Sequence, residues 1–189
     1  MAIFDGTTYF PIQKAGYFLD CNILMYISYT NGSYNQKIVS DYASLVSRII
    51  NVGAKIYISD VLISEFINTY IRTEFHRLAK INNWGSDKNY FKHQFRQTQE
   101  YIDTLKEIRL IINKQLLPIS VRFNSDFVNC NLDYIFNPPA AFDFNDRYYA
   151  SQAIERNMFI VTHDADFSNI NDCNIITINQ KLLAPAQQN

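Results

Sequence analysis

Met158-Phe-Ile-Val-Thr-His-Asp-Ala-Asp-Phe167 is an apolar run that ends abruptly in polar residues. Met158–Thr162 has the length and β-branched content of a strand buried on both faces, and Asp164 follows directly behind it. A matching run, Gly16-Tyr-Phe-Leu19, ends at Asp20. Between these two runs the apolar residues recur mostly at helical spacing. Strands that alternate with helices imply an α/β fold, with a central, mostly parallel sheet covered by helices on both faces.

Outward from these strands, Asn22 to Tyr29 predicts a short helix stopped by Asn31-Gly32. Ile38, Tyr42, Leu45, Val46 and Ile49 mark a helix over 36–51, and Gly53 ends it. Lys55–Ser59 is β-rich. Asp60 is the expected cap of a long helix that buries Leu62, Ile63, Phe66, Ile67, Tyr70 and Ile71. Asn82–Ser86 punctuates the helical region, and a second long helix is expected over 88–114. Pro118–Phe123 predicts a strand, 124–135 a helix, Asn137-Pro-Pro139 a break, 143–156 a helix and Asn174–Ile178 a last strand. With no repeat and no linker, the expected organisation is an N-terminal extension over 1–15, one domain over 16–183 with a helical insert at about 76–114, and a frayed tail over 184–189.

At 189 residues with 48% hydrophobic content, the chain is long enough for one real core. No stretch approaches the roughly 20 apolar residues that span a bilayer, and no membrane partner is expected. Residues 1–10 lack the basic and apolar regions of a secretory signal. Cys21, Cys130 and Cys173 are widely spaced, which fits neither a disulfide framework nor a zinc site and suits a reducing cytoplasm. The net charge of -1 hides an uneven distribution. Residues 126–172 carry eight acids (Asp126, Asp133, Asp143, Asp146, Glu155, Asp164, Asp166, Asp172) against Arg147 and Arg156. Residues 72–96 carry Arg72, Arg77, Lys80, Lys88, Lys92 and Arg96 against Glu74 and Asp87. Such a pair of segments suits a metal centre flanked by a phosphate-binding surface, although solvated helix faces produce the same pattern.

The acids beside apolar runs are the candidates for chemistry. Asp20 closes Tyr17-Phe-Leu-Asp20, Glu65 lies inside Val61-Leu-Ile-Ser-Glu-Phe-Ile67, Asp146 begins a helix, and Asp164 follows a strand. A carboxylate taken out of water loses several kcal/mol of hydration unless it is matched. Asp20 and Asp164 sit where parallel strands end, the edge at which open α/β sheets bind ligands. Like charges gathered there repel one another unless cations bind between them, and hard oxygen ligands favour Mg²⁺ or Mn²⁺ over zinc. Taken singly, each acid also has an ordinary reading as a strand end, a cap, a first-turn acid or an ion-pair partner.

The order Leu19-Asp-Cys-Asn22, Ser59-x5-Glu65, Asp146-x3-Ala150-x2-Ala153 and Val161-Thr-His-Asp-Ala-Asp-Phe167 resembles the PIN-domain family, over about residues 17–182. The last element is the most specific. The resemblance implies a three-layer α/β/α fold in which the strands that carry Asp20 and Asp164 are adjacent. It also implies a metal-dependent ribonuclease whose acidic quartet is Asp20, Glu65, Asp146 and Asp164. Asn22 and Thr162 match supporting positions. Asp143 reads as a helix N-cap beside the site, and Asp166 as a peripheral acid. Many members are toxins held by an antitoxin, others process RNA, and homodimers are common. Two departures stand out: the insert at 76–114 is longer and more aromatic than in a minimal toxin, and His163 is not a motif residue.

The expected reaction is Mg²⁺- or Mn²⁺-dependent hydrolysis of RNA to 5′-phosphate and 3′-hydroxyl ends, with no protein nucleophile. Arg72, Lys88, Lys92 and Arg96, interleaved with Tyr90, Phe91 and Phe95, are the candidate contacts to single-stranded RNA, although aromatics at helical spacing more often form core. A PIN-like scaffold with a silent site, and a phosphatase with Asp20 as nucleophile, are the competing readings. The second is disfavoured because Asn22 stands where a second Asp would be wanted.

Overall fold

The computed structural model describes residues 2–125, 127–136, 143–170 and 172–184. Its elements, in chain order, begin with β1 (Ile3–Asp5), β2 (Gly16–Leu19), α1 (Cys21–Ser28), α2 (Gln36–Asn51) and β3 (Lys55–Ser59). They continue with α3 (Asp60–Asn82), α4 (Lys88–His93), α5 (Gln99–Ile111), β4 (Ser120–Phe123) and α6 (Leu132–Phe136). The last are α7 (Phe144–Glu155), β5 (Met158–Val161), β6 (Asn174–Thr177) and α8 (Gln180–Leu183).

The strands form one six-stranded sheet of order β1-β6-β5-β2-β3-β4, parallel at every pairing. Tyr17, Phe18 and Leu19 of β2 are all buried, as are Ile160 and Val161 of β5. Successive side chains of a strand point to opposite faces, so burial of consecutive residues requires helices on both sides. β2 lies between β3 and β5: the chain leaves β2 toward β3 and β4, then returns to β5 on the other side. The strand order therefore reverses between β2 and β5, and a crevice opens beyond their carboxyl ends.

Local chemistry sets the helix ends. Asn35 Oδ1 accepts from the Lys37 and Ile38 amides and starts α2. Gly53, at φ +73°, lets the chain turn back after α2, donating to the Ile50 carbonyl while Ala54 donates to Ile49. α3 is capped by Ser59, whose Oγ accepts from the Leu62 amide, so Asp60 is a first-turn acid and not the expected cap. Ile63 and Ile67, expected in the core, are only half-buried, whereas Leu62, Phe66, Tyr70 and Ile71 are buried.

Several expectations from the sequence need correction. Residues 1–15 are not merely an extension, since Ile3–Asp5 pairs with β6 as the sheet's edge strand. The single helix expected over 88–114 is broken. Phe95 turns fully into the core, and Thr98, with extended backbone, restarts the helix by accepting the Tyr101 amide on its hydroxyl. The helix expected over 124–135 shrinks to α6. Phe127 and Val128 stay 59% and 93% exposed, so the segment lacks a buried apolar stripe, and the helix begins only where Asn131 accepts from the Tyr134 amide. The Asn137-Pro-Pro139 break and residues 185–189 of the expected tail lie outside the described residues. Among the described residues no helix is long and apolar enough to cross a membrane.

Candidate metal centre

Asp20 and Asp164 sit in the crevice because β2 and β5 pair in register up to Leu19 opposite Val161. The Asp20 amide then donates to the Val161 carbonyl at 3.0 Å, so the two strand ends are stitched one residue before the carboxylates diverge. Asp20 is 4% exposed. Its Oδ1 accepts from the Cys21 amide at 2.6 Å and caps α1. Its Oδ2 accepts from Asn22 Nδ2 at 2.6 Å and from the Thr162 hydroxyl at 2.7 Å. Asn22 closes the joint from the other side, where its Oδ1 accepts from the His163 amide at 3.2 Å. The Asp164 amide donates to Thr162 Oγ1 at 3.0 Å, and its Oδ1 accepts from the Asp166 amide at 2.9 Å to cap a short turn. Asp20 and Asp164 are thus caps as well as members of the cluster.

Glu65 reaches the same place from α3. Its Oε2 accepts from Tyr149 OH at 2.5 Å and from Asn145 Nδ2 at 3.0 Å, both on α7. Asn145 and Tyr149 are four residues apart and so share one helix face. Neither residue carries a local sequence signature, since their partner Glu65 lies 80 and 84 positions away. Asp146 stands in the first turn of α7, and Asp143 caps that helix by accepting from the Asn145 amide at 3.2 Å. Among the described residues no hydrogen bond reaches the half-buried Asp146 carboxylate.

Asp20, Glu65, Asp143, Asp146, Asp164 and Asp166 line one cavity of about 310 Å³, together with Cys21, Asn22 and Thr69. Among the described residues no lysine or arginine joins them. Burial pushes the Asp20 carboxyl up to about 7 against the hydrogen bond from Thr162, and the charges of Glu65 and Asp164 add to the rise. Asp146 is pushed up to about 8, first by burial and then by Asp20, Asp164, Asp143 and Glu65. A cluster of this kind demands positive charge. Burial also raises the Cys21 thiol, which argues against a thiolate nucleophile there.

The donors fit a hard divalent cation in kind: oxygen atoms, one-sided charge and a half-buried Asp146 that accepts no hydrogen bond among the described residues. In spacing the fit is partial. Among the described residues no three His, Cys, Asp or Glu side chains already form a closed ligand set. Asp20 and Glu65 are instead drawn back onto protein donors. Magnesium commonly uses only one or two carboxylates and fills the rest of its shell with water and phosphate oxygens.

His163, the departure noted in the sequence, faces away from this chemistry. Its Nδ1 lies 3.0 Å from Tyr42 OH, and its ring packs edge-on against Tyr26 and Tyr42. Of the bases in 72–96, Arg77 is diverted into an ion pair with the buried Glu74 at 2.5 Å. Arg72, Lys88, Lys92 and Arg96 come together around a second cavity, of about 280 Å³. Phe95 is core, while Phe91 is half-buried at the rim.

No family model matches the sequence, and neither does any curated protein. Among solved structures, a chain from the crystal structure of VapBC2 from Rickettsia felis bound to a DNA fragment from their promoter is similar, with a TM-score of 0.52. The two share 14% identity over 86% of this chain and 98% of that one. The fold is PIN-like. At that identity the likeness is one of architecture, and the chemistry has to be argued from this chain's own residues.

Proposed function

We propose that this protein is a Mg²⁺- or Mn²⁺-dependent ribonuclease that hydrolyses phosphodiester bonds to leave 5′-phosphate and 3′-hydroxyl ends. One observation carries the reading: Asp20, Glu65, Asp146 and Asp164, spread over 145 positions of sequence, line one cavity to which the described residues contribute no basic side chain. An empty pocket of that charge would repel a phosphodiester, so it becomes a nucleic-acid site only with a cation inside.

Asp146, Asp164, Asp20 and Glu65 are the residues that would hold the cation. When bound, it supplies Lewis acidity toward a phosphoryl oxygen and makes nearby water more acidic. The protein contributes position. Thr162, Asn22 and the Cys21 amide fix both oxygens of Asp20, Tyr149 and Asn145 fix one oxygen of Glu65, and Asp146 is left free to turn toward a ligand. No side chain is required as nucleophile, because the oxygen added to phosphorus is water's and the 3′ oxygen leaves with a proton.

The structural neighbour comes from an assembly on promoter DNA, and the fold resemblance extends the proposal to a protein partner of the antitoxin kind. The test is RNA cleavage in Mn²⁺ beside a calorimetric Mn²⁺ titration of the same protein. Asp146→Asn and Asp20→Asn are expected to lose more than the 10–100-fold that removal of an outer-shell partner costs, with the fold intact by circular dichroism. Full activity in Asp20→Asn would end the reading. Absence of both Mn²⁺ binding and cleavage in the unaltered protein would favour a PIN-like scaffold instead.

A further inference from the structure

The cavity of about 280 Å³ between α3 and α4 is the acid cavity's opposite in charge. Arg72 and His76 of α3, Lys88 and Lys92 of α4 and Arg96 of the following turn surround it. None of the four Lys and Arg side chains takes part in an ion pair among the described residues. The one acid at the rim, Asp87, has its Oδ1 committed to the Asn89 and Tyr90 amides at 2.7 and 3.0 Å. The wall is aromatic: Phe75 meets Phe91 edge-on at 5.1 Å, and the Arg96 guanidinium rests over Phe91 at 5.0 Å. That contact holds the charge of Arg96 at the mouth without neutralising it.

The two cavities are successive stretches of one helix face. Glu65 and Thr69 line the acid cavity, and Arg72 and His76 line the basic one. These residues fall at i, i+4, i+7 and i+11, which at 100° per residue places them within about 40° of Glu65 around α3. At 1.5 Å per residue, Arg72 and His76 lie about 10 to 16 Å along the axis from Glu65. In a stacked strand that distance spans about three to five phosphates at 3.4 Å each.

We propose that the basic cavity is a phosphate anchor for a single-stranded nucleic acid running along α3, which holds the strand three to five nucleotides from the acid cavity. The direction of the strand rests on the nuclease reading, but the anchor itself does not. A groove that tracks the backbone with cations beside aromatic side chains is how proteins hold single strands without reading sequence. The unpaired cations here supply the attraction that the acid cavity withholds.

The test uses the full-length protein in EDTA, so that neither cleavage nor metal contributes, and reads the fluorescence anisotropy of a labelled decamer of oligouridylate. In the triple variant Lys88→Gln, Lys92→Gln, Arg96→Gln the affinity at low salt is expected to fall at least tenfold. The slope of log K against log salt should flatten by about 2, since each released counterion contributes about 0.7. Lys92→Gln alone should flatten it by about 0.7. Unchanged affinity and slope in the triple variant would overturn the anchor. So would displacement of the RNA by inorganic phosphate at concentrations near the RNA's own dissociation constant, which would mark a small-anion pocket. Binding is read in EDTA and cleavage in Mn²⁺, so a failure of the nuclease reading shows in cleavage by the unaltered protein and a failure of the anchor shows in binding by the triple variant.

Discussion

The acid cavity draws its quartet from β2, α3, α7 and the end of β5, whereas the basic cavity draws all four of its Lys and Arg residues from the single stretch 72–96. The acids are buried or half-buried, and three of the four are fixed by hydrogen bonds from side chains or backbone amides. The cations are exposed, on long side chains that make no ion pair among the described residues. Gathering like charges into a crevice requires the whole sheet to hold them there, and that costs stability until a counter-charge arrives. Placing cations on a solvated helix face costs almost nothing, and their positions stay adjustable. The first arrangement suits chemistry that demands fixed geometry, and the second suits a polymer that must slide and settle.

The contrast breaks most readily at Tyr149. Its hydroxyl acts through Glu65 and has no place among the reacting atoms, so it is a positioning residue. Tyr149→Phe keeps the ring in the core and removes only the bond to Glu65 Oε2. If Glu65 holds the cation as proposed, cleavage and Mn²⁺ affinity are both expected to fall about 10–100-fold, the usual effect of losing an outer partner of a metal ligand. Asn145→Ala should act in the same direction. A Tyr149→Phe protein with unchanged Mn²⁺ affinity would reduce the bond to packing.

The next effect is on stability. Asp20 and Asp146 titrate near 7 and 8 in the folded chain, well above their ordinary value of 3.8. Between about pH 4 and pH 8 the folded state therefore binds more protons than the unfolded state, and stability falls as pH rises through that window. Metal-free protein should melt several degrees lower at pH 8 than at pH 5, since 1 kcal/mol corresponds to about 2–4 °C at this size. Mn²⁺ should restore the loss at pH 8 and do little at pH 5, where protons occupy the same acids. Asp146→Asn should raise the metal-free melting temperature at pH 8 and abolish the Mn²⁺ response. A melting temperature independent of pH and Mn²⁺ would mean that the cluster carries no such stress.

The parts visible in the sequence were those with a local signature. Asp20 and Asp164 stand out because each ends an apolar run, whereas the adjacency of β2 and β5 is legible only through the resemblance to the PIN-domain family and not from the alternation of strands with helices. β1 gave no such signal: Ile3–Asp5 becomes a strand only because Ile3 finds Ile175 at the far end of the chain. Asn145 escaped for the same reason, since its partner Glu65 is 80 residues away. The helix expected over 88–114 failed on competing signals. Its apolar periodicity is real, but Thr98 offers a cap in the middle and burial of Phe95 favours the turn that uses it. The sequence sets a plain strand end at Asp20 and a cap at Asp164 against a role in the site, and the structure makes both of them caps that also line the acid cavity.

The smallest expected effect is also the cleanest check on the basic cavity's character. If Lys88, Lys92 and Arg96 are solvated and held by no ion pair, replacing all three with Gln should change stability by no more than about 0.5 kcal/mol each. Removing like charges from one rim relieves some repulsion, so the net shift should be close to zero or slightly upward in low salt and should vanish in high salt. Arg96 is the informative member, because its guanidinium packs on Phe91. Any loss confined to Arg96→Gln, and insensitive to salt, would belong to that contact. A salt-dependent loss at Lys88 or Lys92 would instead reveal an ion pair and would mean that the cations are already satisfied. The melting curve of each variant at low and high salt separates these outcomes before any nucleic acid is added.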